Sequence, residues 1–278
     1  MIKIKDGLVK SLLYITLIIY AVSIFFPILL MLLTSLKGNR EIFTNPYGLP
    51  YVFNLDNYIK LIKISNYLVY FKNSIIVAVT SIFFILIISS LASFVLAKYR
   101  FTGNRFLYFY FIAGLIIPIK LGTIGILKTM ITLHIFDHIA SLVIVNVAMG
   151  IPFGVFILTD FIRMIPEELS NSARIDGCSE PKIFYKIIVP LIRPALAAVA
   201  IINFIPIWND FWFPLILIRS DNMKTVPLAT ALLFGQFETD FGLIFSALSM
   251  ASLPLVIFYL ILSRQFGKGL TAGAFKGE

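Results

Sequence analysis

Between Leu12 and Leu33 the chain has no charged residue, and five further apolar stretches of comparable length follow it. Crossing a hydrocarbon core roughly 30 Å thick takes about 20 apolar residues in a helix. Inside that core every backbone polar group must be bonded internally, which admits only helices or closed barrels. Barrel strands are short and alternate in polarity, a pattern these long runs lack. With 59% hydrophobic and 13% charged residues among 278, and a mean hydropathy of +0.96, the chain stands far from soluble composition. The expectation is an all-α membrane protein forming one domain over 1–278. Its six transmembrane helices fall at about 12–33, 74–97, 106–127, 139–161, 191–218 and 243–262. The third run is interrupted by Pro118 and Lys120, and the fifth holds Pro194, Pro206 and Pro214. The first run is long enough to be an anchor, and no small-residue cleavage motif follows it.

Charge sorts the ends of these runs. With the N-terminus on the cytoplasmic side, 14 of the 23 basic residues lie inside, among them Lys3, Lys5, Lys10, Lys98, Arg100, Arg105 and Arg163. Five of the nine outside lie in the long 37–72 segment, and long loops weigh little in the positive-inside rule. Both termini are therefore expected in the cytoplasm. The 37–72 segment, with Pro46, Gly48 and Pro50, reads as an extracytoplasmic loop with turns and a short helix near 55–64. The net charge of +9 belongs to this asymmetry, since no basic block interleaved with aromatics points to nucleic acid. The single cysteine, Cys178, excludes an internal disulfide and a cysteine metal cage.

The densest internal charge lies in Ile165–Pro190, which contains Glu167, Glu168, Arg174, Asp176, Glu180, Lys182 and Lys186. Pro166 suits a first helical position, where its missing N–H costs nothing. Glu167 and Glu168 then favour the positive end of the helix dipole. Leu169, Ser172 and Ala173 share a flank, and Gly177 is placed to end the helix through positive φ. A second short helix is expected from Glu180 and Pro181, with Ile183, Phe184 and Ile187 on one face. Helix, glycine turn, helix on a membrane surface serves either headgroup binding or a protein partner.

The spacing of this segment resembles the cytoplasmic EAA loop of ABC importer permeases: Glu-Ala-Ala, three residues, Gly, nine residues, Ile-x-Leu-Pro. Asn171, Ser172 and Ala173 stand at the Glu-Ala-Ala positions, Gly177 at the glycine, and Ile187, Val189 and Pro190 at the end. The longer pattern of carbohydrate importers matches Ile165, Pro166, Glu168, Leu169, Ala173, Ile175, Asp176 and Gly177. Asn171 and Ser172 depart from Glu and Ala, so the shape of the loop, rather than a carboxylate at 171, must act. Trp208-Asn209-Asp210-Phe211 with Pro214-Leu215 is similar to an element of the fifth helix in maltose-type permeases. Gly269 to Ala274, with Lys276 and Gly277, is similar to their C-terminal tail.

The resemblance implies the type I ABC importer permease fold and one transmembrane subunit of a carbohydrate importer of the bacterial inner membrane. It implies a second homologous permease subunit, two copies of a cytoplasmic ABC ATPase and an extracytoplasmic solute-binding protein. Glu167, Glu168, Leu169, Asn171, Ser172, Ala173, Asp176, Gly177, Ile187 and Pro190 would then form the ATPase-coupling loop. The chain itself binds no cofactor in this reading, and ATP and Mg belong to the ATPase. Consistent with that, Gly267-Lys268-Gly269 lacks the spacing and the Ser/Thr of a phosphate-binding loop.

Asp210 is an ionisable group in an apolar run, which normally faces a pathway or a partner. It either lines a substrate pathway with Asn146, Asn203, Trp208 and Asn209, or caps a broken helix or pairs with the second permease chain. Aromatic and amide groups together suit a sugar face and its hydroxyls. His134 and His138 are four apart but lack a third ligand. The alternative function class is an ion- or proton-coupled secondary transporter, which calls for paired intramembrane carboxylates or inverted repeats.

Overall fold

The computed structural model describes residues 2–64, 66–236 and 240–274, without the side chains of 2–8, 64, 235–236 and 262–274. Its elements in chain order are α1 (Ile2–Ser35), α2 (Asn39–Thr44), α3 (Asp56–Ile64), α4 (Tyr67–Lys98), α5 (Asn104–Ile116) and α6 (Thr123–Thr132). There follow α7 (Ile139–Arg163), α8 (Glu167–Ile175), α9 (Glu180–Ile183), α10 (Val189–Leu191), α11 (Arg193–Trp208), α12 (Trp212–Leu217), α13 (Val226–Gln236) and α14 (Phe241–Ala274). Four of these helices are long and apolar enough to cross a membrane, and two bent pairs bring the number to as many as six.

Two expected spans differ from straight helices. The third, at 106–127, is bent by 85° between α5 and α6, with a 3-10 turn at Ile119–Gly122 directly after Pro118. Proline disfavours helical geometry in the residue before it, and Ile117 is accordingly extended (φ −73°, ψ 121°). The fifth, at 191–218, meets the preceding helical segment at 75° and is broken again at Asn209–Phe211. The segment between the first two expected spans is shorter than 37–72, because α4 already begins at Tyr67. Of the tail motif, Gly269–Ala274 continues α14, while Lys276 and Gly277 lie outside the described residues.

The chain forms two compact units. One comprises residues 1–67 and 230–253. There the Lys37 ammonium is fully buried and donates to the carbonyls of Asn45 (2.6 Å) and Gly48 (2.7 Å), which folds the loop back over the cation. Backbone carbonyls replace the water that a buried cation otherwise loses. Asn57 Nδ2 donates to the Ser35 and Lys37 carbonyls at 2.9 and 2.8 Å, so α3 is tied to the end of α1.

The other unit, residues 68–229 and 254–278, carries the sites discussed below. Its centre is α4, α7 and α11 in close approach. A Cβ on Gly154 of α7 would stand 2.5 Å from Ser89 Oγ and 2.6 Å from Ser89 Cβ of α4. One on Gly150 would stand 2.7 Å from Asn203 Oδ1 of α11 and 2.3 Å from Ile85 Cδ1 of α4. Between helices in lipid, small residues provide the association that hydrophobic burial supplies in water. The serines that interrupt the second apolar run thus face the core: Ser89 and Ser93 are fully buried, and Ser93 Oγ donates to the Val155 carbonyl at 3.3 Å.

Candidate functional site

The charged segment folds as helix, glycine turn, helix. Pro166 is extended (ψ 137°) and precedes the helix as its cap, so Glu167 rather than Pro166 opens α8. The helix ends in a Schellman turn: the Cys178 N–H reaches the Ala173 carbonyl at 2.9 Å and the Gly177 N–H the Arg174 carbonyl at 3.0 Å. Gly177 sits at φ +77° with open space where a Cβ would be, so the backbone angle alone requires glycine. Ser170 and Ala173 face inward, whereas Glu167, Glu168, Leu169, Asn171, Ser172, Ile175 and Asp176 are exposed. Ile175 is 87% exposed, and Leu169 is exposed on another side of the same charged helix. Ile187 and Pro190 are half-buried, on the far side of the turn. A π turn at Phe184–Ile188 joins α9 to α10 just before Pro190, whose missing N–H interrupts the regular ladder.

Ionic contacts hold this loop. Arg174 forks onto Glu180, Nε to Oε1 at 2.6 Å and Nη2 to Oε2 at 3.2 Å, and its Nη1 donates to Asn171 Oδ1 at 2.7 Å. The Tyr99 hydroxyl donates to the same Glu180 carboxylate. Bonds from Arg174 and Tyr99 hold the Glu180 carboxyl below the usual carboxylate range, and Glu180 in return raises Arg174. Burial, helped by the adjacent carboxylate, pushes the Tyr99 hydroxyl up. The Arg174 and Glu180 side chains are 37% and 40% exposed, and exposed pairs contribute roughly 0.2–1 kcal/mol. Orientation is therefore a larger effect of this contact than stability.

A second site opens where α11 breaks. Asn146 and Gly150 of α7, Asn203 and Ile207 of α11, Asn209, Asp210 and Trp212 at the break, and Lys120 from the bend after α5 line a cavity of about 440 Å³. Asp210 Oδ1 accepts from the Trp212 and Phe213 N–H groups at 3.1 and 3.3 Å, so the carboxylate caps α12. Each asparagine donates Nδ2 to the carbonyl four residues earlier: Asn146 to Leu142, Asn203 to Val199 and Asn209 to Ile205, at 2.9, 2.9 and 3.0 Å. Trp212 Nε1 donates to Thr123 Oγ1 at 3.0 Å, and Lys120 Nζ lies 5.7 Å from its ring centroid. Trp208, grouped by sequence with this pathway, is instead core: 2% exposed, stacked on Phe204 at 5.8 Å and edge-on to Phe71 at 5.7 Å. The break at 209–211 sends the two tryptophans to different places. His138 caps α7, its Nδ1 accepting from the Ala140 N–H at 3.1 Å.

Residues 86–271 match the family described as binding-protein-dependent transport system inner membrane component. The chain belongs to that family. Among its curated relatives, a Caldicellulosiruptor sp. (strain Rt8B.4) protein named as an ABC transporter permease is 36% identical over 90% of this chain and 91% of its own. A diacetylchitobiose uptake system permease of Streptomyces coelicolor is 30% identical, covering 94% and 87%. An arabinooligosaccharides transport system permease of Halalkalibacterium halodurans is 32% identical, covering 91% of each. The fold is shared with a chain of a bacterial ABC transporter involved in the import of the acidic polysaccharide alginate: TM-score 0.82, 20% identity, covering 94% of this chain and 98% of that one.

In this permease the two sites also use residues that the sequence reading did not single out. Tyr99 lies 81 positions from Glu180, and Thr123 lies 89 from Trp212. Lys120 was visible only as an interruption of an apolar run. Nothing local marks these pairs, though a cation beside a proline in a membrane run is a signal that the chain turns away there.

Proposed function

We propose that the permease is one transmembrane subunit of an ATP-driven, binding-protein-dependent importer of carbohydrate, with α8 as the element that docks on a cytoplasmic ATPase. The observation that carries this is the α8 turn itself. A helix that buries only Ser170 and Ala173, presents Leu169, Ile175 and its acids outward, and stops at Gly177 has the form of a helix made for another protein's groove. The EAA-like spacing belongs to the same residues. In this reading a second homologous permease subunit and two ATPase copies complete the assembly, and ATP and Mg bind on the ATPases. A solute-binding protein delivers the sugar from outside, and the termini and α8 face the cytoplasm.

Closure of the ATPase pair on ATP draws the two docked helices together and shifts the permeases between inward- and outward-facing states. Such a shift is limited by the differential affinity of the ATPase pair for the two states. The 440 Å³ cavity supplies a sugar route of suitable chemistry, with the Trp212 ring and the Asn146, Asn203, Asn209 and Asp210 oxygens around it. The carbohydrate class follows from the relatives, named for diacetylchitobiose and arabinooligosaccharides.

Replacing 165–190 by a Gly/Ser linker is expected to abolish co-purification of the ATPase while the chain still inserts. Undiminished association would place docking elsewhere. Gly177→Val, β-branched and so strained at positive φ, is expected to leave insertion intact and to uncouple ATP hydrolysis from uptake.

A further inference from the structure

The C-terminal end of α4 grips the loop on both sides of α8. The Lys98 ammonium donates to the carbonyl of Ile165, just before the helix, and the next residue, Tyr99, donates to Glu180, just after it. Glu180 in turn receives the Arg174 fork from the last turn of α8 itself. Phe94, one turn back along α4, meets Phe184 at 5.4 Å and Tyr99 at 5.8 Å, so an aromatic contact backs the ionic one. Without these contacts α8 would hang from an extended proline and an open glycine turn, with two small inward side chains as its packing.

We infer that Arg174, Glu180 and Tyr99 are positioning residues: they form a clamp that fixes the angle of α8 against α4, so that force applied to α8 reaches the membrane helices instead of being absorbed in the loop. The inference rests on the reading of α8 as the ATPase-docking element, and it assigns to Arg174 and Glu180 a contact within this chain. Guanidinium is suited to the task, since its planar fork fixes direction as well as distance, which a lysine ammonium does not.

The test uses the assembled transporter in proteoliposomes, reading ATPase co-purification, ATP hydrolysis and sugar uptake together. For Arg174→Gln and for Glu180→Gln, the ATPase is expected to remain bound and active while ATP consumed per sugar imported rises about fivefold or more. Arg174→Lys is expected to fall between these and the parent. The exchanged pair Arg174→Glu with Glu180→Arg is expected to restore the parent ratio, an outcome that lost packing alone does not produce. An unchanged ratio in the single variants, or no restoration in the exchanged pair, overturns the clamp. Loss of ATPase binding in the single variants also overturns it, because Arg174 and Glu180 would then serve docking itself. Full ATPase association after Gly/Ser replacement of 165–190 is the separate result that removes the docking reading.

Discussion

Gly177 ends α8 in open space, whereas Gly154 lies in the middle of α7 against Ser89 of α4. At Gly177 a Cβ meets nothing within 4 Å, and what excludes other residues is a φ of +77°. At Gly154 the backbone is ordinary helix, and a Cβ has no room. One glycine is fixed by a local angle in a polar, exposed loop, the other by how closely two helices must approach in an apolar bundle. A side chain at Gly177 therefore disturbs the fold less than one at Gly154.

The largest expected effect breaks the bundle. Gly154→Val places a branched side chain where Ser89 Cβ already stands, and overpacking of this kind costs about 3 kcal/mol. The variant is expected to accumulate poorly and to unfold at a lower temperature in detergent, and a parent-like melting curve would show that α4 and α7 are not tightly joined at Gly154. Gly177→Ala strains one residue in the left-handed region, costing about 1–2 kcal/mol. Asparagine tolerates that region better, so Gly177→Asn is expected to keep more sugar uptake than Gly177→Ala. Equal uptake in the two would mean that the backbone angle is not what the loop needs.

Acidification acts on two carboxyls that the fold holds low. At Asp137 burial opposes ionisation, but bonds from the Ser220 hydroxyl and from the Ser220 and Arg219 N–H groups outweigh it and hold the carboxyl low. Glu180 is held low by Arg174 and Tyr99. A carboxyl lowered in the folded state contributes stability that is fully present above its unfolded value of about 4. That stability is lost as pH falls through the lower folded value. The melting temperature of the parent is therefore expected to fall between neutral pH and the acid side of 4 by more than that of Asp137→Asn, which has no charge there to lose. The reverse order would contradict the bonding at 137. Smallest for the fold is Ile175→Ser: at 87% exposure it is expected to change stability by less than about 0.5 kcal/mol. In the assembled transporter the same change is expected to weaken ATPase association, and unchanged association would move the docking edge away from Ile175.

Much of the loop was readable from its residues. Glu167, Gly177 and Glu180 mark a start, a stop and a restart by local rules of capping and turn geometry, and only the role of Pro166 shifted by one position. The cavity was half readable. Asn146, Asn203, Asn209 and Asp210 stand out as polar groups in apolar runs and do converge, while Trp208 and Trp212 were indistinguishable by hydropathy. Which tryptophan turns inward depends on the break after residue 208, a matter of backbone direction and neighbours on other helices.

The sequence by itself determined that this chain is a helical membrane protein, where its apolar runs lie, and that a polar helix–turn–helix interrupts them. Hydrocarbon thickness and backbone hydrogen bonding act on any segment locally, so their consequences can be counted along the chain. Pro118 locally starts a break, but the tertiary structure decided the cavity that the bend helps to line and the grip of Lys98 and Tyr99 on either side of α8. Those depend on residues some 70 to 90 positions apart meeting at hydrogen-bond distance. That outcome is set by the packing of small residues between helices, which leaves no period in the sequence to read.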